Sequence, residues 1–136
     1  LSDSAHPMRH HIDVLGLLHM VWGVFTVLCG ASLAILALGT HAALAVSGAI
    51  GAAPRAAVWL FAVTAVVALG FGAACFQTGR RLRRLESSAR TLAIGLAIPN
   101  LLVIPFGTGL GVYTFWVLLN NDARAVFGRP ARGPAA

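Results

Sequence analysis

One ionisable side chain lies well inside an apolar segment of this sequence. It is His19, within the apolar run of residues 14–38. Ionisable residues are rare at such depths in a membrane-length segment, and those that occur are candidates for function. An imidazole there can join two helices through a hydrogen bond, respond to protons, bind a haem or another metal, or line a pore. We expect the hydrogen bond between helices, because His19 shares a helix face with small residues.

Four further polar side chains are candidates for lining a pore or binding a ligand. They are Thr26, Asn100, Thr108 and Tyr113. Asn100 follows Pro99, which lacks a backbone N–H and leaves one helix carbonyl without its partner. Broken helices of this kind bind ions or small solutes in many membrane proteins. The alternative is a simple proline kink, with Asn100 bonded to a neighbouring helix.

The remaining reactive groups argue against metal and redox sites. Cys29 and Cys75 lie at different depths of their apolar segments, so we expect no disulfide between them. His19 and Cys75 lie at similar depths and could meet. Three histidines form a loose cluster ahead of the first apolar run, namely His6, His10 and His11. Because no C-x-x-C pair accompanies them, no metal centre and no cofactor are predicted.

Catalysis is not expected. The chain has only 4 acidic residues, Asp3, Asp13, Glu86 and Asp122, and all lie outside the apolar segments or at their edges. The carboxylate relays of coupled transporters are therefore missing from the spans. No nucleophile elbow, phosphate-binding loop or dinucleotide fingerprint is present, so no catalytic residue is assigned.

The elements that must position these residues are membrane helices. Of the residues 58% are hydrophobic and 10% charged, whereas about a quarter are charged in a typical soluble domain. In lipid a spanning segment must satisfy its own backbone hydrogen bonds, which predicts an all-α fold. The net charge of +6 comes with no basic stripe interleaved with aromatic residues, so no nucleic-acid partner is expected.

The pattern predicts a polytopic protein with four membrane-spanning helices in one domain. The spans cover residues 14–38, 56–78, 89–104 and 109–120. The turn signal from Pro105 to Gly109 separates the last two, which would otherwise form one kinked helix with an external C-terminus. Every arginine except Arg55 then lies on one side, and cytoplasmic loops collect such residues. Both termini are therefore expected in the cytoplasm, with a basic inner loop at residues 80–90 and a flexible tail at residues 128–136.

Two further expectations concern packing and lipid contact. Small residues recur every seven positions in the first span, at Gly16, Gly23, Gly30 and Ala37, which predicts a stripe of close helix packing. Five arginines are expected to hold the topology and attract anionic lipid head groups, namely Arg80, Arg81, Arg83, Arg84 and Arg90. Residues 39–55 are expected to form a weakly structured outer loop, and Ser87 or Ser88 to cap the following helix.

One segment carries a family resemblance. Residues 105–119 fit the pattern P-x-G-T-x-L-G-x-Y-x-x-W-x-L-L, with Pro105, Gly107, Tyr113 and Trp116 among its fixed positions. This segment resembles one found in small, uncharacterised bacterial four-helix integral membrane proteins. The resemblance implies a bacterial inner-membrane location and four helices, and it implies no activity.

These observations lead to two functional hypotheses. The first is a homo-oligomeric helical bundle that acts as a channel or pore lined by small and polar residues. The second is a non-catalytic accessory or scaffold subunit that packs against other subunits of a larger membrane complex. In both cases the lipid bilayer and neighbouring membrane subunits are the expected partners.

Overall fold

The computed structural model describes residues 5–48, 51–103, 105–128 and 133, and these residues contain helices and no strands. The helices are α1 (Ala5–Ser47), α2 (Ala52–Arg83), α3 (Ser87–Leu101), α4 (Phe106–Leu119) and α5 (Asn121–Val126). The all-α prediction is therefore confirmed. The tail predicted for residues 128–136 lies almost wholly outside the described residues.

The predicted outer loop at residues 39–55 is wrong in most of its length. Helix α1 continues to Ser47, and α2 already begins at Ala52. Alanine is the strongest helix former, and the stretch is rich in it, so propensity extends both helices past the apolar segments. The first helix is followed by Gly48, whose φ of 64° is the left-handed conformation that commonly terminates helices at glycine.

Two separate helices, rather than one kinked helix, follow the basic loop. Helices α3 and α4 pack against each other as an antiparallel pair, with Gly107 beside the Asn100 carbonyl and Gly111 beside Ala97. The predicted serine cap at the start of α3 is wrong. Glu86 holds the capping position without a side-chain hydrogen bond, and it follows Leu85, whose φ is 56°.

The described chain divides into two compact units, Trp22–Ala74 and the pair Leu1–Val21 with Cys75–Ala136. In the first of these, which we call the hairpin unit, α1 and α2 run antiparallel in close contact. Gly72 lies against the Gly23 carbonyl and Val27, and Gly30 lies against Leu69 and Ala65. The backbones approach closely because glycine puts no side chain between them.

The other unit, which we call the four-helix unit after the four longer helices that contribute to it, contains a buried core. It combines the start of α1 and the end of α2 with α3, α4 and α5. Its apolar core includes Ile12, Leu15, Leu82, Val117 and Leu118, all fully buried. Polar and charged side chains are buried in the same unit, namely His19, Thr78, Arg90, Asn100 and Thr114.

Two helices are long and apolar enough to cross a membrane, covering Pro7–Ser47 and Ala52–Arg83. Only 17% of the most apolar window of each is buried by the rest of the protein. A core helix of a soluble protein would be mostly covered, so the exposed apolar surface favours contact with lipid. Helix α4 is apolar but has only 14 residues.

Candidate functional site

Several buried polar side chains lie inside the four-helix unit. Gly79 of α2 packs against Gly16 and Met20 of α1. Cys75 lies one turn before Gly79 in α2, and His19 lies one turn after Gly16 in α1. Each residue therefore shares a helix face with its glycine. Both side chains are fully buried. The sequence-based expectation that these two residues share a level of the fold agrees with this register.

His19 uses only one of its two ring nitrogens. Its Nδ1 atom donates a hydrogen bond to the Leu15 carbonyl at 3.1 Å. Its Nε2 atom is buried and has no hydrogen-bond partner among the described residues. The sequence suggested that His19 forms a hydrogen bond between two helices. The Leu15 carbonyl belongs to the same helix as His19, so this bond does not join two helices. His19 therefore contributes to packing mainly through its volume.

Asn100 meets α2 through the sulfur of Cys75. The two side chains lie against each other, and both are fully buried. Asn100 also closes α3, since it lies one residue before the end of that helix at Leu101. The amide therefore ties the tip of α3 to α2. The second alternative for Pro99 and Asn100 places the amide against a neighbouring helix, and Asn100 lies against α2 at Cys75. The hydrogen bond of that alternative stays a prediction.

The turn between α3 and α4 satisfies its own polar groups. The Thr108 hydroxyl donates to the Leu101 carbonyl at 2.9 Å. Backbone hydrogen bonds run from Val103 to Asn100 and from Thr108 to Val103. Pro105 has no N–H to satisfy. The backbone N–H groups of Leu102 and Gly109 donate to the carbonyls of Pro99 and Pro105.

Arg90 fastens the opposite end of the α3–α4 pair. Its Nε atom donates to the Leu118 carbonyl at 2.9 Å, and its side chain is buried. Leu118 belongs to the last turn of α4, where carbonyls have no partner within the helix. The predicted role of Arg90 at lipid head groups is therefore wrong, because a side chain 7% exposed and bonded inside the protein cannot reach them.

An aromatic group anchors the start of α1 to α4. The Tyr113 hydroxyl and the His11 Nδ1 atom share a hydrogen bond of 3.1 Å. The His11 ring meets the Trp116 ring edge to face, with centroids 5.9 Å apart. Tyr113 and Trp116 stack at 6.1 Å, as their spacing of three residues allows. The sequence suggested the shared face of Tyr113 and Trp116 but not their partner, because no local pattern links positions 11 and 113.

The remaining pore candidate, Thr26, also forms a hydrogen bond within its own chain. Thr26, in the hairpin unit, donates to the Trp22 carbonyl of the preceding turn at 2.8 Å. The residues of the predicted stripe, Gly16, Gly23, Gly30 and Ala37, are all buried. The histidines ahead of the first apolar run do not form a metal site in the described residues, where no three metal-binding side chains come together.

The hairpin unit contains a cleft that the sequence did not suggest. Its volume is about 610 Å³, and it lies between the end of α1 and the start of α2. Leu44, Val58 and Trp59 contribute apolar walls, and His41 and Arg55 contribute polar atoms. The predicted loop at residues 39–55 hid this feature, because the two helix ends that form the cleft had been assigned to a coil.

Arginine side chains line two shallow depressions at the end of α2. Depressions of about 280 Å³ and about 370 Å³ share Arg80 and Arg84. Arg83 forms an ion pair with Asp13, with Nε to Oδ1 at 2.7 Å. Arg81 lies 3.8 Å from Glu86. Four of the five predicted head-group arginines are thus exposed, and two of these four have acidic partners.

The fold and these contacts define an all-helical protein that has two helices able to cross a membrane and a polar core in its four-helix unit. No family model matches this chain, and no curated protein and no solved structure shows significant similarity to it. The chemistry of the residues themselves therefore carries the functional argument.

The isolated Nε2 atom of His19 leads to a first prediction. We expect His19→Leu to leave the stability unchanged or to raise it, because leucine fills a similar volume without burying an unpaired polar atom. We expect His19→Ala to lower the free energy of unfolding by about 2–3 kcal/mol through the cavity it creates. Both are measured by denaturation in detergent. A loss in His19→Leu as large as that in His19→Ala would contradict a role based on volume.

Proposed function

We propose that this protein is a non-catalytic accessory subunit of the bacterial inner membrane, which crosses the bilayer as a helical bundle and packs against other membrane subunits. The observation that carries this proposal is that three of the polar candidates for a pore already bond to atoms of their own chain. Thr26 and Thr108 donate to backbone carbonyls, and Tyr113 bonds to His11. Polar groups that bind each other stabilise packing and do not present a hydrated path.

The depth of the α3–α4 pair supports a topology with two crossing helices. Asn100, near the tip of the pair, lies against Cys75, which stands five residues before Arg80. Five helical residues rise about 7–8 Å. The hydrocarbon layer is about 30 Å thick. If the arginines mark the cytoplasmic surface of the membrane, the tip of the α3–α4 pair reaches only the inner leaflet. Both ends of the pair then lie on the cytoplasmic side.

Helix length and turn chemistry agree with such a re-entrant pair. Helices of 15 and 14 residues rise only about 21–22 Å each. Exposed apolar side chains surround the tip, namely Ile98, Leu102, Val103 and Phe106. Irregular backbone is tolerated at membrane depth where its polar groups are satisfied. In the described part of the turn, the hydrogen bonds of the Val103 and Thr108 N–H groups and of the Thr108 hydroxyl contribute to this requirement. The two-span and four-span topologies both leave the termini in the cytoplasm and differ in where Leu102 lies.

Labelling of single cysteines distinguishes these topologies. In a chain carrying Cys29→Ser and Cys75→Ser, we expect Leu102→Cys to be protected from a membrane-impermeant maleimide applied to the outer face of spheroplasts. Val46→Cys, whose native side chain is 90% exposed, serves as the control labelled from outside. Ala125→Cys serves as the control labelled only in inverted vesicles. Outside labelling of Leu102→Cys at the rate of Val46→Cys would establish the four-span topology.

A channel remains the second candidate, as a pore formed between copies of the chain. A Cβ atom at Gly70 or Gly95 would meet nothing within 4 Å. A helix of another copy of the chain therefore has room to approach at both positions. Close approach at small residues is the usual route to helix association in membranes. The accessory and channel hypotheses differ in whether the purified protein conducts.

Reconstitution of the purified protein into liposomes distinguishes the accessory hypothesis from the channel hypothesis. We expect proteoliposomes of the purified protein to leak potassium and protons no faster than protein-free vesicles, and Asn100→Leu or Thr26→Leu to change nothing. Folding of each variant is checked by its circular dichroism. Flux that is present in the wild type and lost in Asn100→Leu would favour the channel. Absence of flux together with co-purification of a membrane partner in fixed ratio would support the accessory role.

A further inference from the structure

The exposed arginines at the end of α2 are not equivalent. Arg83 donates to Asp13 at 2.7 Å, and Arg81 faces Glu86 at 3.8 Å. These two carboxylates reduce the charge available to a ligand. Within the described part of the chain, Arg80 and Arg84 have no acidic partner, and both side chains are exposed. Two guanidinium groups are therefore free to bind an anion.

The two free arginines stand together. They are four residues apart on α2 and its end, and the Arg84 N–H bonds to the Arg80 carbonyl at 3.3 Å, so the helical spacing continues through both. Residues at this spacing project from the same side of a helix. Both arginines line each of the two depressions, and each depression also contains one carboxylate, Asp13 or Glu86, which is paired with its own arginine. One anion between Arg80 and Arg84 can therefore contact two guanidinium groups.

The surroundings indicate what kind of anion fits. Gln77 lies one turn deeper on α2 and lines the larger depression beside Arg80 and Arg84. A guanidinium group matches phosphate with parallel hydrogen bonds, and an amide side chain can donate to a glycerol or ester oxygen. The depressions, of about 280 and 370 Å³, are open. They suit a head group whose acyl chains stay in the bilayer better than an enclosed molecule.

We propose that Arg80 and Arg84 form a specific site for the phosphodiester of an anionic phospholipid in the inner leaflet, with Gln77 beside it. Arg81 and Arg83 hold the local structure through Glu86 and Asp13 and are not part of the phosphate contact. This inference rests on the proposed membrane placement of the arginine end. Binding is measured in mixed micelles and topology by cysteine labelling, so either proposal can fail alone.

The test compares two double variants that remove the same charge. One carries Arg80→Gln and Arg84→Gln. The control carries Arg9→Gln and Arg124→Gln, which lie in the same four-helix unit and line neither depression. Binding of phosphatidylglycerol and of phosphatidylcholine to the full chain in detergent is counted by native mass spectrometry. Circular dichroism checks that both variants keep the wild-type helix content.

The wild type and the control are expected to retain phosphatidylglycerol in preference to phosphatidylcholine. The Arg80→Gln, Arg84→Gln variant is expected to lose roughly tenfold or more in phosphatidylglycerol affinity. Equal losses in both double variants would overturn the proposal, because general surface charge would then explain the binding. Displacement of the lipid by millimolar inorganic phosphate would also overturn it, since the site would then bind a soluble anion. Equal retention of both lipids by the wild type would have the same consequence.

Discussion

Replacing Gly72 with alanine is expected to destabilise the protein by disturbing the packing of α1 against α2. The same change at Gly70 is expected to leave the stability unchanged or to raise it. A Cβ atom at position 72 would lie 2.8 Å from the Gly23 carbonyl oxygen and 2.9 Å from the Val27 backbone nitrogen. Backbone atoms cannot move aside as a flexible side chain can, so the helices must separate. At Gly70 a Cβ atom meets nothing within 4 Å.

The two substitutions should therefore have opposite or clearly unequal effects. Overpacking at a tight contact lowers stability by about 1–3 kcal/mol. Alanine at an open helix position removes backbone freedom from the unfolded chain and favours the helix, by up to about 1 kcal/mol in water. Because both changes add one methyl group to the same helix two residues apart, hydrophobicity and helix propensity are matched between them.

Unfolding in mixed micelles with increasing dodecyl sulfate measures this difference. Tryptophan fluorescence follows the transition, since two of the three tryptophans, Trp22 and Trp59, belong to the hairpin unit. We expect the Gly72→Ala midpoint to fall and the Gly70→Ala midpoint to hold or rise. Equal midpoints for the two variants would mean that α1 and α2 do not approach closely at this level.

The sequence predicted the helices better than their ends. The apolar segments near residues 14–38 and 56–78 both lie inside observed helices, because length and hydropathy are local properties. The helix ends at residues 39–47 and 52–55 were missed, because absence of strong hydrophobicity was read as absence of structure. Alanine-rich segments form helices without being strongly apolar, and only Gly48 carried a stop signal.

The polar contacts were the least predictable part of the candidate site. His19, Asn100 and Tyr113 were recognised from residue type alone, since polar groups in apolar segments are uncommon. Their partners were not predicted. Tyr113 meets a residue 102 positions away, and Cys75 meets Asn100 across two helices. Such pairings depend on how helices are placed in three dimensions, which no spacing within one segment records.

The arginines show most clearly that residue type does not predict the contact partner. Charge placement alone grouped Arg80, Arg81, Arg83, Arg84 and Arg90 as equivalent residues at the membrane surface. Among the described residues, the contacts separate them into two with acidic partners, two without, and one buried. Residue type sets what a guanidinium group can bind, but the neighbouring carboxylates and carbonyls decide what it does bind. The separation makes Arg90 a structural residue with a large expected effect.

Replacing Arg90 with methionine is expected to loosen the α3–α4 pair. Methionine keeps much of the side-chain volume but cannot donate to the Leu118 carbonyl, which the arginine Nε atom reaches at 2.9 Å. A hydrogen bond from a charged donor contributes about 1.5–3 kcal/mol, and an unpaired buried acceptor carries a further penalty. Within the last turn of α4 no backbone N–H is available to replace the lost donor.

The thiol of Cys75 reports this opening directly. It is fully buried beside Asn100 at the tip of the pair, whereas Cys29 is exposed and is removed as Cys29→Ser. If the pair opens and recloses faster than it is labelled, a loss of about 2 kcal/mol raises the maleimide rate at Cys75 roughly 30-fold. The exposed change Arg9→Met removes the same charge and should leave the rate unaltered. A wild-type rate in Arg90→Met would show that the Leu118 carbonyl does not depend on this arginine, and that the pair is held by its apolar contacts alone.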